Sequence, residues 1–299
     1  MIVVAKKVGR LANRMLLFSH LIAAAREHGF SVLNPAFDPY ARYFPSTSRN
    51  LVPRFPPGRP LVAAPAVARG VSYRAAHAAA EVAWRLQQRG RDVGIIRLSR
   101  DQELDLNSDL FVGMARRHRV LFIQDWFFRN HENVERHAGL LRSYFTPHRH
   151  RLDRARAAVD PVRAGGRLVI GVHIRRGDYE RFKGGRFLFS HDVYRATMEQ
   201  AREAHSDRDV AFLVCSDEPL PQGAFGELEV IDAPGSELED LYALASCDLL
   251  IGPPSTYNRW ASFWGEVPLF QIREPGQPLT PDMFRVAHGL EWEPIAARN

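Results

Sequence analysis

Twice along this chain, apolar runs of strand length alternate with segments of helical periodicity, and no other feature narrows the possible folds as far. "IVVAKKV" reads as a strand, "RMLLFSHLIAAAREHG" as a helix closed by Gly29, and "SVLNP" as a second strand stopped by Pro35. "SYRAAHAAAEVAWRLQQRG" reads as a helix ending at Gly90, followed by the strands "GIIRL" and "VLFIQDWFF". The series then restarts. "RLVIGVHI", "VAFLVCSD", "LEVID", "LLIG" and "VPLFQI" read as strands, and "SHDVYRATMEQAREAH", "SELEDLYALASCD" and "STYNRWASFWG" as helices. Ser236 and Glu239 have the spacing of a capping box. Strands that alternate with helices predict a parallel, doubly wound sheet. Two such series predict an α/β protein of two Rossmann-like domains with a cleft between them. The boundary falls at Ala164-Gly165-Gly166, giving domains 1–164 and 165–299. Residues 35–70 are proline-rich and irregular, and residues 131–163 read as one or two helices broken at Pro147 and Pro161.

With 299 residues and 45% hydrophobic content, the chain is long enough for two cores of ordinary size. The formal charge of +6 raises the question of a nucleic-acid partner. The only lysines are Lys6, Lys7 and Lys183, and the arginines are dispersed. Their densest groups are Arg116, Arg117 and Arg119, then Arg149, Arg151, Arg154 and Arg156, the latter spaced like a solvated helix face. No basic stripe is interleaved with aromatics, so no nucleic acid is expected as a partner. The balance suits an enzyme acting on a polyanionic substrate. Cys215 and Cys247 form neither a disulfide framework nor a metal pattern, and read as buried thiols of a reducing compartment. The N-terminus sets its apolar residues before its lysines and lacks a cleavage site, unlike a secretory signal. The longest apolar stretch, Leu16 to Ala25, is interrupted by Ser19 and His20 and is short of the ~20 residues a membrane span needs. A cytoplasmic protein is expected, visiting a membrane surface only where its acceptor is lipid-linked.

Three strand ends in the second half carry chemistry. "LVIGVHIRRGDYERF" drives a buried run into Arg175, Arg176 and Asp178. Guanidinium groups bind phosphate bidentately at any relevant pH, and charge following a buried strand at a sheet's switch point fits an anion site better than a surface turn. Asp178 is placed to orient one of the arginines. "FLVCSDE" supplies Ser216, Asp217 and Glu218; a carboxylate there can accept from the N1–H and N2–H edge of guanine or close a turn, and the sequence leaves both open. "LLIGPPSTYNRWASFWG" meets a Gly-Pro-Pro turn, then Ser255 and Thr256 at a helix start, which is either an N-cap or a phosphate cradle. Together the three suggest a nucleoside diphosphate. There is no G-x-G-x-x-G, no Walker A and no D-x-D after a strand, so the diphosphate is expected to be neutralised by side chains without a metal or other cofactor.

These residues resemble a known family. "GVHIRRGDY" resembles the H-x-R-R-x-D-Y motif of the alpha-1,2-fucosyltransferases and, more loosely, of the alpha-1,6- and protein O-fucosyltransferases. "GRLANRMLLFSHLIAAAREHG" is similar to that family's opening G-x-L-G-N-Q-M-F segment, and "LFIQDWFFRNHENVERHAGLLRSYF" to its G-Y-F-Q-S-x-x-Y-F segment. "CSDE" and "DLYALASCDLLIGPPSTYNRWASFWG" resemble its S-D-D/E and D-L-Y-x-M-S-x-C…N-S-S/T-F-S-W-W-G blocks. The chain departs at Ala12-Asn13-Arg14, at Ile123-Gln124-Asp125 with Trp126, at Pro254-Ser255-Thr256 and at Arg259-Trp260. The resemblance implies a GT-B fold and a metal-independent, inverting transfer of L-fucose from GDP-fucose to a glycan hydroxyl. The first domain would take the acceptor and the second the donor. By position, Arg175 would hold the β-phosphate, with Arg176 and Asp178 in support. His173 would line the nucleotide pocket, Ser216 and Asp217 would lie at the guanine, and Ser255 and Thr256 would hold phosphate. Gly9, Arg10 and Asn13 would close over the donor from the first domain. Asp125, at a first-domain strand end, is the general base to test, against a packing or capping role. Trp126, Phe127 and Phe128 are either a sugar platform or core. Two other readings stay open: a transferase for another GDP-sugar, and a nucleotide-binding relative without activity.

Overall fold

The computed structural model describes residues 1–290 except 59–64, 87–91, 100–101, 178 and 181, and only the backbone of residues 182 and 183. Asp178, Gly90 and the segment after residue 290 therefore lie outside the described residues. The chain divides into two compact units, the first ending at His148 and the second beginning at Arg149.

In the first unit, β1 (Ile2–Val4) leads into α1 (Leu11–His28), which ends at Gly29, and then into β2 (Val32–Leu33). The proline-rich stretch follows with a short α2 (Pro45–Ser48) and β3 (Arg54–Phe55). It is irregular but packed: Phe37 and Phe44 lie fully buried against Phe145, and Phe37 against Phe18 of α1. Next come α3 (Ala66–Arg85), β4 (Val93–Arg97), β5 (Leu104–Asp105), α4 (Asp109–Arg117), β6 (Val120–Gln124) and β7 (Phe128–Arg129). Among the described residues the main sheet has the order β3-β2-β1-β6-β4, parallel except for the edge pair β2 and β3. β5 and β7 form a small separate parallel pair.

Residues 131–163 form four short helices rather than one or two: α5 (His131–Arg136), α6 (Ala138–Tyr144), α7 (Arg149–Ala157) and α8 (Asp160–Ala164). Pro161 lies in the first turn of α8, where a missing N–H costs nothing, so it opens a helix as well as breaking the pattern. The division between units precedes α7, ahead of the expected Gly165-Gly166 boundary. The reason lies in β8 (Leu168–Ile174), α9 (His191–Ala204), β9 (Val210–Ser216), β10 (Val230–Asp232) and α10 (Glu237–Leu244), against which α7 docks. Arg151 and Arg154 of α7 reach buried Glu239 of α10 at 3.2 and 3.6 Å. Of the arginine group expected to be solvated, Arg151 is thus partly buried in this docking, while Arg154 stays exposed. Glu239 also completes the capping box: its N–H donates to the Ser236 hydroxyl at 3.2 Å, and that hydroxyl donates to the Glu239 carboxylate at 2.6 Å.

The unit closes with β11 (Leu249–Gly252), α11 (Thr256–Gly265) and β12 (Leu269–Gln271). Its strands are all parallel in the order β10-β9-β8-β11-β12. β8 is buried along its whole length, as a central strand covered on both faces must be, and its run of Leu, Val and Ile follows from that. The chain leaves β8 toward β9 on one side and returns to β11 on the other. The switch point, where such sheets bind ligands, therefore lies beyond the carboxyl ends of β8 and β11. Both Cys215 and Cys247 are buried free thiols.

Candidate functional site

The register of the second sheet decides which predicted residues meet. Ile174 pairs with Ser216, and Val172 with Ile251, so the ends of β9, β8 and β11 stand side by side. All three strand ends singled out in the sequence converge there. Arg175 leaves the end of β8 with its Nη1 at 3.1 Å from Asp217 Oδ2, both side chains less than a fifth exposed (17% and 15%). Asp217 Oδ1 accepts from the N–H groups of Arg176 at 2.9 Å and Gly177 at 3.3 Å. Both carboxylate oxygens are thus turned to the loop after β8, and Asp217 holds Arg175 and the backbone of that loop.

Arg176 is also held inward, by Glu218 through Nε and by the Phe189 carbonyl through Nη1. Ser216 closes the neighbouring turn, its hydroxyl accepting from the Glu218 N–H at 3.2 Å. The two arginines thus differ. Arg176 anchors the loop, while Arg175 rests on a carboxylate that an entering phosphate can replace or share. The third loop is tied in by Tyr179, whose hydroxyl donates to the Pro254 carbonyl at 2.9 Å. Ser255 is the N-cap of α11, accepting from the Asn258 N–H at 3.0 Å, and Thr256 is the first residue of the helix. Capping and anion binding are compatible here, because the positive end of the helix faces the strand ends. Pro253 and Pro254 bring no N–H to that turn.

His173 lies beneath this surface, its ring 4.6 Å from that of Tyr257. Burial, and then the Arg175 guanidinium, push the His173 imidazole down to about 4, so the ring is neutral at pH 7. The side chain of buried Asn258 lies beside the ring. Gly252 brings the two together. A Cβ there would fall 2.3 Å from Asn258 Nδ2 and 2.9 Å from the His173 carbonyl, so only glycine lets β11 end against them.

In the first unit, the corresponding switch point lies between β1 and β6, where Val4 pairs with Ile123. Gly9 has φ +62°, and a Cβ on it would meet Asn13 Nδ2 at 2.0 Å, so the Asn13 side chain folds over the glycine backbone. Arg10 precedes α1 without capping it and is exposed. Arg14, where the resembled family has glutamine, donates to the carbonyls of Gly9 and Ala36 at 3.1 Å each. It staples the turn to the proline-rich stretch. Asp125 follows β6 with φ +143°, a conformation that disfavours every residue but glycine. Its Oδ1 accepts from the Trp126 N–H at 2.8 Å, and its Oδ2 lies 3.4 Å from Lys6 Nζ. Of the aromatic run, Phe128 is core, while Trp126 and Phe127 are half-buried.

Sequence reasoning named Glu218 without its partner and passed over Tyr179, Asn258 and Lys6. Glu218, Tyr179 and Asn258 lie inside the motifs it quoted, but their roles depend on neighbours forty or more positions away, which no local pattern reports. Among the described residues no group of three or more His, Cys, Asp or Glu is placed to hold a metal, and no helix is long and apolar enough to cross a membrane.

Two Rossmann-type units of this topology define an α/β protein of the GT-B glycosyltransferase fold class. The solved structures it resembles include a mutant of FUT1 from Arabidopsis thaliana in complex with GDP. That match has a TM-score of 0.58 and 13% identity and covers 95% of this chain and 73% of the other. They also include the fucosyltransferase NodZ from Bradyrhizobium, with a TM-score of 0.52 and 15% identity over 91% and 95% of the two chains. NodZ alpha-1,6-fucosyltransferase co-crystallized with GDP matches with a TM-score of 0.51 and 16% identity over 92% and 96%. No protein-family model matches the sequence, and no curated protein does.

Proposed function

We propose that this chain is a glycosyltransferase that transfers L-fucose from GDP-fucose to a hydroxyl of a glycan acceptor, with inversion and without a metal. The observation that carries the reading is the convergence of Arg175, the Asp217–Glu218 turn and the α11 N-terminus at one switch point. That sets a guanidinium and a helix N-terminus beside one another at the sheet's edge, groups that suit a phosphate. The GDP held by the FUT1 and NodZ structures of the same fold supports a guanine nucleotide.

The chemistry is a single displacement. The bond from the anomeric carbon to the β-phosphate oxygen breaks, its electron pair passing to the phosphate, as the acceptor oxygen bonds the same carbon from the opposite face. Arg175 neutralises the charge that builds on the β-phosphate, trading its contact with Asp217 for one with the leaving group. Arg176 and Asp217 hold the loop in place, with Asp178 assigned to support them. Ser255 and Thr256, with the α11 dipole, receive phosphate oxygens, and Ser216 lies at the nucleotide's edge. His173 stays neutral and offers one ring N–H, so it adds no charge. Gly9, Arg10 and Asn13 supply donors at the α1 end, and Asp125 takes the acceptor's proton as general base.

Titration calorimetry with GDP, UDP and ADP, on the native chain and on Arg175→Ala, tests the donor class. GDP is expected to bind selectively and to lose most of its affinity in the variant. Absence of GDP binding to the native chain overturns the reading. Product analysis with GDP-fucose beside other GDP-sugars then tests the sugar. The Pro253-Pro254 turn, which removes two N–H donors from the phosphate end, favours a second reading, a relative that binds GDP without turnover. Binding without any sugar released or transferred would select it.

A further inference from the structure

Helix α3 is apolar on its outer side, which no other described residue covers. Its inner face is fully used. Ala80 is core with Val3, Ile95 and Phe122, and Ala76 and Ala83 pack on the same cluster. His77 Nδ1 donates to the Ala5 carbonyl at 2.8 Å, and Tyr73 lies under the Lys7 ammonium at 4.2 Å. At about 100° per residue, Val67, Val71, Ala75, Ala78, Val82 and the following Leu86 fall together on the opposite arc. Val67 is 76% exposed, Val71 51%, Val82 53% and Leu86 52%.

The outer arc of a surface helix is normally its charged face. Here the charges on it are Arg74 and Arg85, both exposed, and neither pairs with a carboxylate among the described residues. The helix has one acidic residue, Glu81. It lies beside the two arginines at one edge of the arc and is already bound to Arg97 at 2.6 Å and Gln124 at 3.0 Å.

We propose that α3 lays this face on an anionic lipid bilayer. Its valines and Leu86 would enter the boundary between headgroups and acyl chains, and Arg74 and Arg85 would meet lipid phosphates. The arginines decide the occupant. A second copy packed α3 against α3 would bring like charges together on a face with no free carboxylate to offset them. A neutral apolar partner would leave both guanidinium groups without counter-ions. An anionic bilayer satisfies both parts of the face at once. The inference does not rest on the donor assignment.

Flotation of the full chain with phosphatidylcholine vesicles, and with vesicles that also contain phosphatidylglycerol, tests it. The native chain is expected to float with the anionic vesicles and weakly or not at all with the neutral ones. Val71→Glu/Val82→Glu and Arg74→Glu/Arg85→Glu should each reduce the bound fraction at least about tenfold, while melting as the native chain does, because all four positions are exposed. Failure of the native chain to float with anionic vesicles overturns the proposal, as does flotation of the variants equal to the native. Sedimentation showing a native dimer that the glutamate variants split into monomers would assign the face to a second copy and also overturn it.

Discussion

Asp217 satisfies three donors at once, the Arg175 guanidinium and the N–H groups of Arg176 and Gly177. Its loss would release the loop after β8 and, on the proposed function, affect every nucleotide alike, whereas a base-reading residue would affect guanine alone. In Asp217→Ala, calorimetry should therefore show the affinities for GDP and ADP falling together with their ratio kept. A ratio that collapses toward one would favour the guanine assignment. His173 makes a prediction about pH. Its folded-state value, about 4, is depressed below the unfolded 6.5. Between those values the unfolded chain binds a proton that the folded chain refuses. Stability then rises with pH, and it is lost as the pH falls from 6.5 toward 4, by about 3 kcal/mol at most. Burial depresses His20 in the same direction, so part of the slope belongs to it. Denaturant titrations of native and His173→Gln chains across that window should show a shallower slope in the variant. An unchanged slope would mean that His173 titrates normally.

The elements contribute their ends. β6 stops at Gln124 because the chain turns there at Asp125 through a backbone conformation that an L side chain resists, at a cost on the order of 1–3 kcal/mol. The Lys6 contact, at 3.4 Å with Lys6 half exposed, offsets little of it. Strain kept at a strand end beside a switch point is better explained by what the carboxylate does than by what it stabilises. Asp125→Gly should then raise the melting temperature while transfer to the acceptor falls, and Asp125→Asn should lose transfer without the gain in stability. A glycine variant that melts lower would show the carboxylate to be structural. In the second unit the same economy of ends is reached by different means. Tyr179 pins the loop after β8 to the turn after β11, and Glu218 pins Arg176, so three separate loops behave as one surface.

For the whole molecule, the residues proposed to hold the donor belong to one compact unit, and that unit should register the nucleotide most strongly. GDP at about a hundred times its dissociation constant should add about 2.7 kcal/mol to the stability of the cooperative unit that binds it. Hydrogen exchange should show protection concentrated at residues 175–177 and 216–218 and at the start of α11. Protection spread evenly over the chain, or absent there, would remove the switch point from the donor site. Much of this architecture could be read locally. Continuous apolar runs mark β8, β9 and β11 because strands covered on both faces must be apolar throughout, and Gly29, Ser236 and Ser255 mark helix ends because unpaired N–H and C=O groups need partners there. The sequence alone thus determined the alternation, the caps and the three polar strand ends. Only the tertiary structure decided that β9, β8 and β11 are neighbours, that Asp217 faces Arg175, that α7 belongs with α10, and that the outer face of α3 is left exposed by the described residues. Each of these is a pairing between residues distant in the chain. Sheet order and register choose such partners, and local pattern carries no record of that choice.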